Sequence, residues 1–463
     1  MINKNNVELK SKNKYKYKYK ELKKPFIFKK TSIAIIVIIV IFQMIGLKSS
    51  GKIEHATFAN AIGIDISPTS PDKVMVTFQI IPPQISTQTT SSEQEKFIVT
   101  SINTDSLEKA IALTHNYMST VINFSHTRAV IFSEEIAKEK GIEKYINSIS
   151  SNPTFDTNMF VLISKTKAQK FLESFSQTTE VNPMLYFNIL RNSQYISSST
   201  KPVTVMEFSK NLYDPYMDAT ASVCDVIENT AKKTSKTDLE KSSANTKEKK
   251  EDNSSTIDNT KGSNLDNLQK KSASKIEVGG MAVFKGGKLV GILDSDMVAC
   301  HLMINSKIKG YFLQINSQNK TGDKNSSNTD KENEIANIYL WQQSNSKIDL
   351  DINGNIPKID ITIPLNVKIL DTNNNIYDFT DKDYMNKMRE CINNKLKSDM
   401  DNYINIVQKK YDVNIDNYVS YIRKDFLTCT NLNEYNFESK YPTANIHVSF
   451  KLKYMSTGLT TKE

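Results

Sequence analysis

Cysteine is scarce: four residues, at 224, 300, 391 and 429, stand 76, 91 and 38 positions apart. Such spacing excludes a CxxC unit, a zinc-finger pattern and a dense disulfide framework. A Cys391–Cys429 bridge stays open beside the ordinary case of free cysteines acting as small hydrophobes. The chain also lacks a P-loop, GxGxxG, GxSxG, HExxH or EF-hand loop. The common phosphate, nucleophile and metal devices are therefore missing.

Charge bias is missing over most of the length. Net charge is +9, yet the first 30 residues hold 11 lysines against Glu8 and Glu21 and account for all of it. Beyond residue 30 the two signs balance, so the basic pI does not describe a nucleic-acid-binding body.

Histidine is sparse too, at 55, 115, 126, 301 and 447. His447 falls on the polar side of a strand pattern, His115 lies in a helical stretch, and Cys300 and His301 project about 100° apart on a helix, poorly placed for one metal. These read as surface or half-buried histidines. No carboxylate pair is singled out by spacing for acid–base work. The residues thus point to no catalytic, cofactor-binding or metal site.

What is present begins with one long apolar run. Residues 31–47, TSIAIIVIIVIFQMIGL, carry no charge and are flanked by Lys29, Lys30 and Lys48. At about 1.5 Å per residue they reach roughly 25 Å, enough for a short span with snorkelling lysines. A signal-peptide core is the rival reading, but it lacks an A-x-A-like cleavage site. The lysine-rich tail, residues 1–30, stays cytoplasmic under the positive-inside rule, which places the body outside. Its KYKYKYK string, Lys14–Lys20, reads first as a topogenic tail and second as a lipid or nucleic-acid contact.

Two stretches cannot offset their ordering entropy by burial. Residues 229–275 contain no aromatic and only Leu239, Ile257, Leu265 and Leu268 as large aliphatics, and 317–334 contain no apolar residue. The first reads as a disordered domain linker and the second as an overgrown loop. The expected organisation is a tail over 1–30, an anchor over 31–47, an α/β domain over 52–228, a linker over 229–275 and an α+β domain over 276–463. About 463 residues suit two or three such bodies.

Period-two alternation marks strands at Val74–Ile80, Phe97–Ile102 and Met159–Ile163. Asp105 with Glu108 forms a capping-box pattern ahead of one helix, and another helix follows Glu134. Gly286 and Gly287 mark a hairpin turn, and Asp294 or Ser295 a helix cap. Residues 359–369 alternate strictly, with Pro364 suggesting an edge strand or bulge. A helix over about 380–408 carries Met385, Met388, Ile392, Leu396, Met400, Tyr403 and Val407 on one stripe, and 446–454 form a closing strand. The fold class is α+β, with an antiparallel C-terminal sheet packed on the long helix.

Several strings, in order, resemble the Ger(x)C family, the C subunit of the nutrient germinant receptors of endospore-forming bacteria. They are Ala61–Asp65 with Val74–Thr77, Phe124-Ser125-His126 with Ala129–Phe132 and Gly141, Asn152-Pro153 ahead of Met159–Ile163, and Ala282–Lys285 with Lys288–Gly291 and Leu293-Asp294. The chain departs from the family at Leu47, which occupies the place of its lipid-bearing cysteine, so lipidation is not expected there. Cys300, Asn417 and Val419 stand where glycines are usual, and Ser151 and Asp156 where arginines are frequent. The resemblance implies a non-enzymatic subunit at the spore inner membrane, partnered by membrane A and B subunits, with nutrient binding credited to B. A membrane-tethered binding module outside germination and an external hydrolase are the alternatives.

Overall fold

The computed structural model describes residues 33, 35–41, 57–81, 97–117, 121–177, 186–187, 190, 196–227, 276–305, 307–317, 334–372 and 382–455. The tail 1–30, Leu47, His55, the polar stretch 229–275 and the interior of 317–334 lie outside them. The chain divides into two units, Met1–His55 and Ala56–Glu463. In the first, residue 33 and residues 35–41 are helical, with Ile33, Ile35 and Ile38 more than half exposed. Among the described residues no helix is long and apolar enough to cross a membrane.

The second unit opens with strands β1 (Thr57–Ile66), β2 (Val74–Ile81) and β3 (Ile98–Thr104), then helix α1 (Leu107–Tyr117). β4 (Ile122–Asn123), β5 (Ala129–Ser133), α2 (Glu134–Glu139), α3 (Glu143–Ser151), β6 (Phe160–Ser164), α4 (Ala168–Glu173), α5 (Val205–Tyr213) and β7 (Thr220–Val226) follow. The chain returns as β8 (Ile276–Lys285), β9 (Lys288–Leu293) and α6 (Ser295–Asn305). It closes with β10 (Tyr311–Ser317), β11 (Glu334–Trp341), β12 (Lys347–Asp351), β13 (Lys358–Thr372), α7 (Lys382–Ile404) and β14 (Asn445–Tyr454).

β1 to β9 form one sheet, ordered β3-β2-β1-β5-β6-β7-β8-β9 with β4 beside β1. β1, β5, β6 and β7 are parallel, linked by helical crossovers, and antiparallel hairpins extend both ends. Central parallel strands are covered on both faces, so they read as continuous apolar runs. Val130 and Phe132 of β5 point into a core with Ile136 and Tyr145, while Ala129 and Ile131 point into another with Phe171 and Leu172.

Local chemistry explains the element ends. At α1 the cap is Ser106 and not the expected Asp105: the Ser106 hydroxyl accepts from Lys109 N at 3.2 Å, and Asp105 ion-pairs with Lys109 instead. Asp294 caps α6 by accepting from Met297 N at 2.9 Å. Gly286 and Gly287 take the positive φ angles, 52° and 77°, that the β8–β9 turn requires.

The second sheet is ordered β10-β11-β13-β12, with β14 along the free side of β13. It is not wholly antiparallel, because β13 and β14 run parallel. Nor is β13 an edge. β12 pairs with residues 358–362 and β11 with 366–372 along one side, while β14 lines the other. Pro364 falls in the gap between β12 and β11, where a missing N–H has no ladder bond to lose on that side. Of the helix stripe, Met388, Ile392, Leu396, Met400, Tyr403 and Val407 are buried beneath this sheet, and Met385 in the first turn is half-buried.

Both polar stretches join paired strand ends. Val226 lies opposite Ile276 across 229–275, and Ser317 lies opposite Glu334. The stretch read as a domain linker therefore joins neighbouring strands of one sheet. β8 also shares its two faces between two cores. Ala282 and Phe284 pack with the first half, and Met281 and Val283 pack with α6, α7 and the second sheet.

Candidate functional site

Helix α6 touches β8, α7 and β13, so it lies between the two sheets and is buried from Val298 to Ile304 without a break. An amphipathic pattern is absent because no face meets water. This corrects the sequence expectation for His301, which is fully buried and not at the surface or half-buried.

Asp416, 1% exposed, accepts from four donors: His301 Nδ1 at 2.9 Å, the Tyr403 hydroxyl at 2.8 Å, Asn305 Nδ2 at 2.7 Å and the Tyr418 hydroxyl at 3.2 Å. A carboxylate can only accept, so the network assigns the imidazole proton to Nδ1. Burial lowers the His301 pKa against the opposing pull of Asp416, which keeps the ring neutral. Burial, reinforced by Asp416, drives the Tyr403 and Tyr418 hydroxyls far above their usual range. These groups are locked as donors around one anion, a clamp joining α6, α7 and the loop 411–418.

That loop also grips the first sheet. Asn414 N donates to Asp218 at 2.7 Å, Asn414 O accepts from Asp218 N at 2.8 Å, and Asn414 Nδ2 donates to Tyr216 O at 2.8 Å. Lys285, at the β8–β9 turn, donates to Asp412 O at 2.9 Å and sits 3.7 Å from Asp218 and 3.3 Å from Glu438. Burial alone would lower the Lys285 pKa, but Asp218, Asp412 and Glu438 outweigh it and raise it. Burial raises that of Asp218. Tyr411 lies flat on Gly291 of β9, where any Cβ would fall inside its ring. A cavity of about 330 Å³ opens along this seam, lined by Asp214, Tyr216, Asp218, Lys285, Gly287 and Glu438, among others.

The remaining candidates are dispersed. His126 and His447 are exposed, and His126 stacks edge-on against Phe58 at 5.2 Å. All four cysteines are free, and burial pushes the Cys224 and Cys300 thiols well above their ordinary range, which makes them inert. Among the described residues no group of three His, Cys, Asp or Glu is placed to hold a metal.

Sequence reasoning missed Asp416, Asn414 and Asp218 altogether, since Asp416 meets His301 across 115 positions and Asn414 meets Asp218 across 196. One signal was present. Asn417 has φ 52° and Asp412 has φ 51°, so Asn417 fills a glycine-type position with a residue that tolerates the left-handed region.

The family model described as the spore germination protein N-terminal domain matches residues 49–226. The model described as spore germination B3/GerAC-like, C-terminal, matches residues 279–458. This chain belongs to the GerAC-like family of spore germination proteins. Among curated proteins it is 22% identical over 333 residues to YfkR of Bacillus subtilis (strain 168), whose name ascribes it to spore germination, covering 72% of this chain and 71% of that one. Among solved structures it is similar to the GerBC protein, at TM-score 0.47 and 12% identity, covering 85% of this chain and 97% of that one.

In this GerAC-like chain the strings behind the resemblance do packing work. Asp65 accepts from Ala168 N at 2.7 Å and Gln169 N at 3.0 Å, holding the start of α4, and a side chain on Gly63 would press on Leu172. Gly141 has φ 70° and contacts Gly287, and Asn152 closes its turn through Thr154 N at 3.0 Å. The two family domains meet at β7 and β8, beside the seam that Asn414 and Lys285 close.

Proposed function

We propose that this protein is the C subunit of a nutrient germinant receptor, tethered by residues 31–47 to the outer face of the spore inner membrane and acting through association with membrane A and B subunits. The reading carries no catalytic step. It rests on one observation: both GerAC-like domains are present, and the residues that mark them are spent on packing and on closing the seam between the sheets. A rigid body of this kind contributes surfaces, and tethering raises the effective concentration of partners in the same membrane.

Deleting the gene should abolish the response to the nutrient served by its own receptor and leave germination by unrelated triggers intact. Affinity capture of the full chain from spore membranes should retain the A and B subunits. Intact-mass analysis should find residues 1–47 retained, without an acyl increment. A His126→Ala protein that accumulates normally, keeps its partners and is wholly inactive would overturn the non-catalytic reading.

A further inference from the structure

The outer face of the second sheet carries an arrangement that the reading above does not use. Directly paired residues in a sheet point to the same face, so the register fixes who stands beside whom. One row across β10, β11 and β13 is Phe312–Tyr339–Lys368. The next, across β11, β13 and β14, is Trp341–Asn366–Lys453, and Lys451 stands two residues further along β14, beside Pro364. Both rows begin with an aromatic ring and end in a lysine.

Phe312 is 59% exposed although its neighbours Tyr311, Leu313 and Ile315 are buried. Its ring lies 5.1 Å from Tyr339, which lies 5.6 Å from Trp341, so three aromatics form one contiguous strip, open at Phe312 and half-buried at Tyr339 and Trp341. The Tyr339 hydroxyl donates to Lys309 O at 2.8 Å, which satisfies its polar tip while its ring faces out. Lys368, Lys451 and Lys453 are exposed, and among the described residues none of the three forms an ion pair. No carboxylate stands in these rows.

We propose that this aromatic and lysine face rests on the anionic headgroup layer of a lipid bilayer. Tryptophan and tyrosine favour the membrane interface, where an amphipathic ring meets both apolar and wet surroundings. Lysines held near an anionic surface each add to its attraction. Three lysines without a carboxylate in their rows complement such a surface. The inference rests on the tethered reading above, because a chain held to a bilayer meets its surface at high effective concentration.

The test is built into the chain, since Trp341 is its only tryptophan. Full-length protein is reconstituted into vesicles of phosphatidylglycerol and phosphatidylcholine, or of phosphatidylcholine alone, each with acyl chains brominated near the headgroup. The protein should float with both vesicle types. Trp341 emission should shift to the blue and be quenched at least twofold in the anionic vesicles alone, and added salt should reverse the quenching. The combined variant Lys368→Glu, Lys451→Glu, Lys453→Glu should float equally, keep its far-ultraviolet spectrum and lose the quenching.

A chain that floats with Trp341 unquenched in both vesicles overturns this proposal and leaves the tether standing. A chain that does not float overturns both. Equal quenching in neutral vesicles overturns the anionic preference. Shielding of Trp341 that arises only when the receptor's other membrane proteins are added makes the face a protein contact and overturns lipid binding.

Discussion

β5 and β6 in the first sheet are buried on both faces, whereas β13 in the second alternates between a buried inner face and an outer one that is open at Asp360 and Lys368, half-buried at Thr362 and Pro364 and closed only at Asn366. The contrast is between a strand with no surface and a strand with two unlike surfaces. In the first, every side chain is under packing constraint. In the second, half are released, and those are the positions where an interaction can be written without disturbing the fold.

The sharpest way to break this comparison is to truncate one aromatic in each sheet. Phe132→Ala empties a fully buried site against Tyr145 and should cost about 3–5 kcal/mol in denaturant unfolding. Phe312→Ala should stay within about 0.5 kcal/mol. Similar losses would mean that the outer face is packed after all.

Between the sheets, Asp416→Ala strands the donors of His301, Asn305, Tyr403 and Tyr418 and should cost about 3 kcal/mol. The same clamp has a pH signature. The folded His301 pKa is depressed below the ordinary value of about 6.5, so as pH falls through that value the unfolded chain takes up a proton that the folded chain refuses. Stability should therefore decline from pH 7 toward pH 5, and His301→Gln should flatten that slope. The raised carboxyls of Asp65 and Asp218 act in the opposite sense, favouring the fold at low pH and losing that contribution as pH rises through their folded values.

A smaller effect is expected at the tip of the second sheet. Because Ser317 and Glu334 are already opposite each other, replacing residues 318–333 with Asn-Gly should raise stability by less than about 2 kcal/mol, as loop closure changes by about 0.6 kcal/mol per halving of length. A collapse in thermal midpoint would show that the insert packs. Smallest of all, Lys451→Ala should leave the unfolding free energy unchanged within about 0.5 kcal/mol, since its side chain is exposed.

Elements governed by local pattern were legible before the structure. The alternation of β13, the stripe of α7 and the Gly286-Gly287 turn all depend on neighbours within a few residues. Pro364 was misjudged because a strand can have two successive partners along one side, a fact that belongs to β11 and β12 and not to β13. The parallel course of β14 depends on where the chain goes between α7 and residue 445. The Asp416 clamp and the Asn414 contact were invisible for the same reason, since each depends on a partner more than a hundred positions away, His301 for the first and Asp218 for the second.

The pairing of β7 with β8 has a consequence for what counts as a piece of this protein. Val226 and Ile276 face each other, and β8 sends alternate side chains into each of two cores. A cut anywhere in 229–275 would sever the backbone and leave every one of those contacts in place. The two fragments should then travel as one particle through a sizing column and part only in denaturant. Made separately, each should expose a raw strand edge and aggregate, and made together they should restore the whole, as a protein whose continuity is held by a sheet and not by a peptide bond.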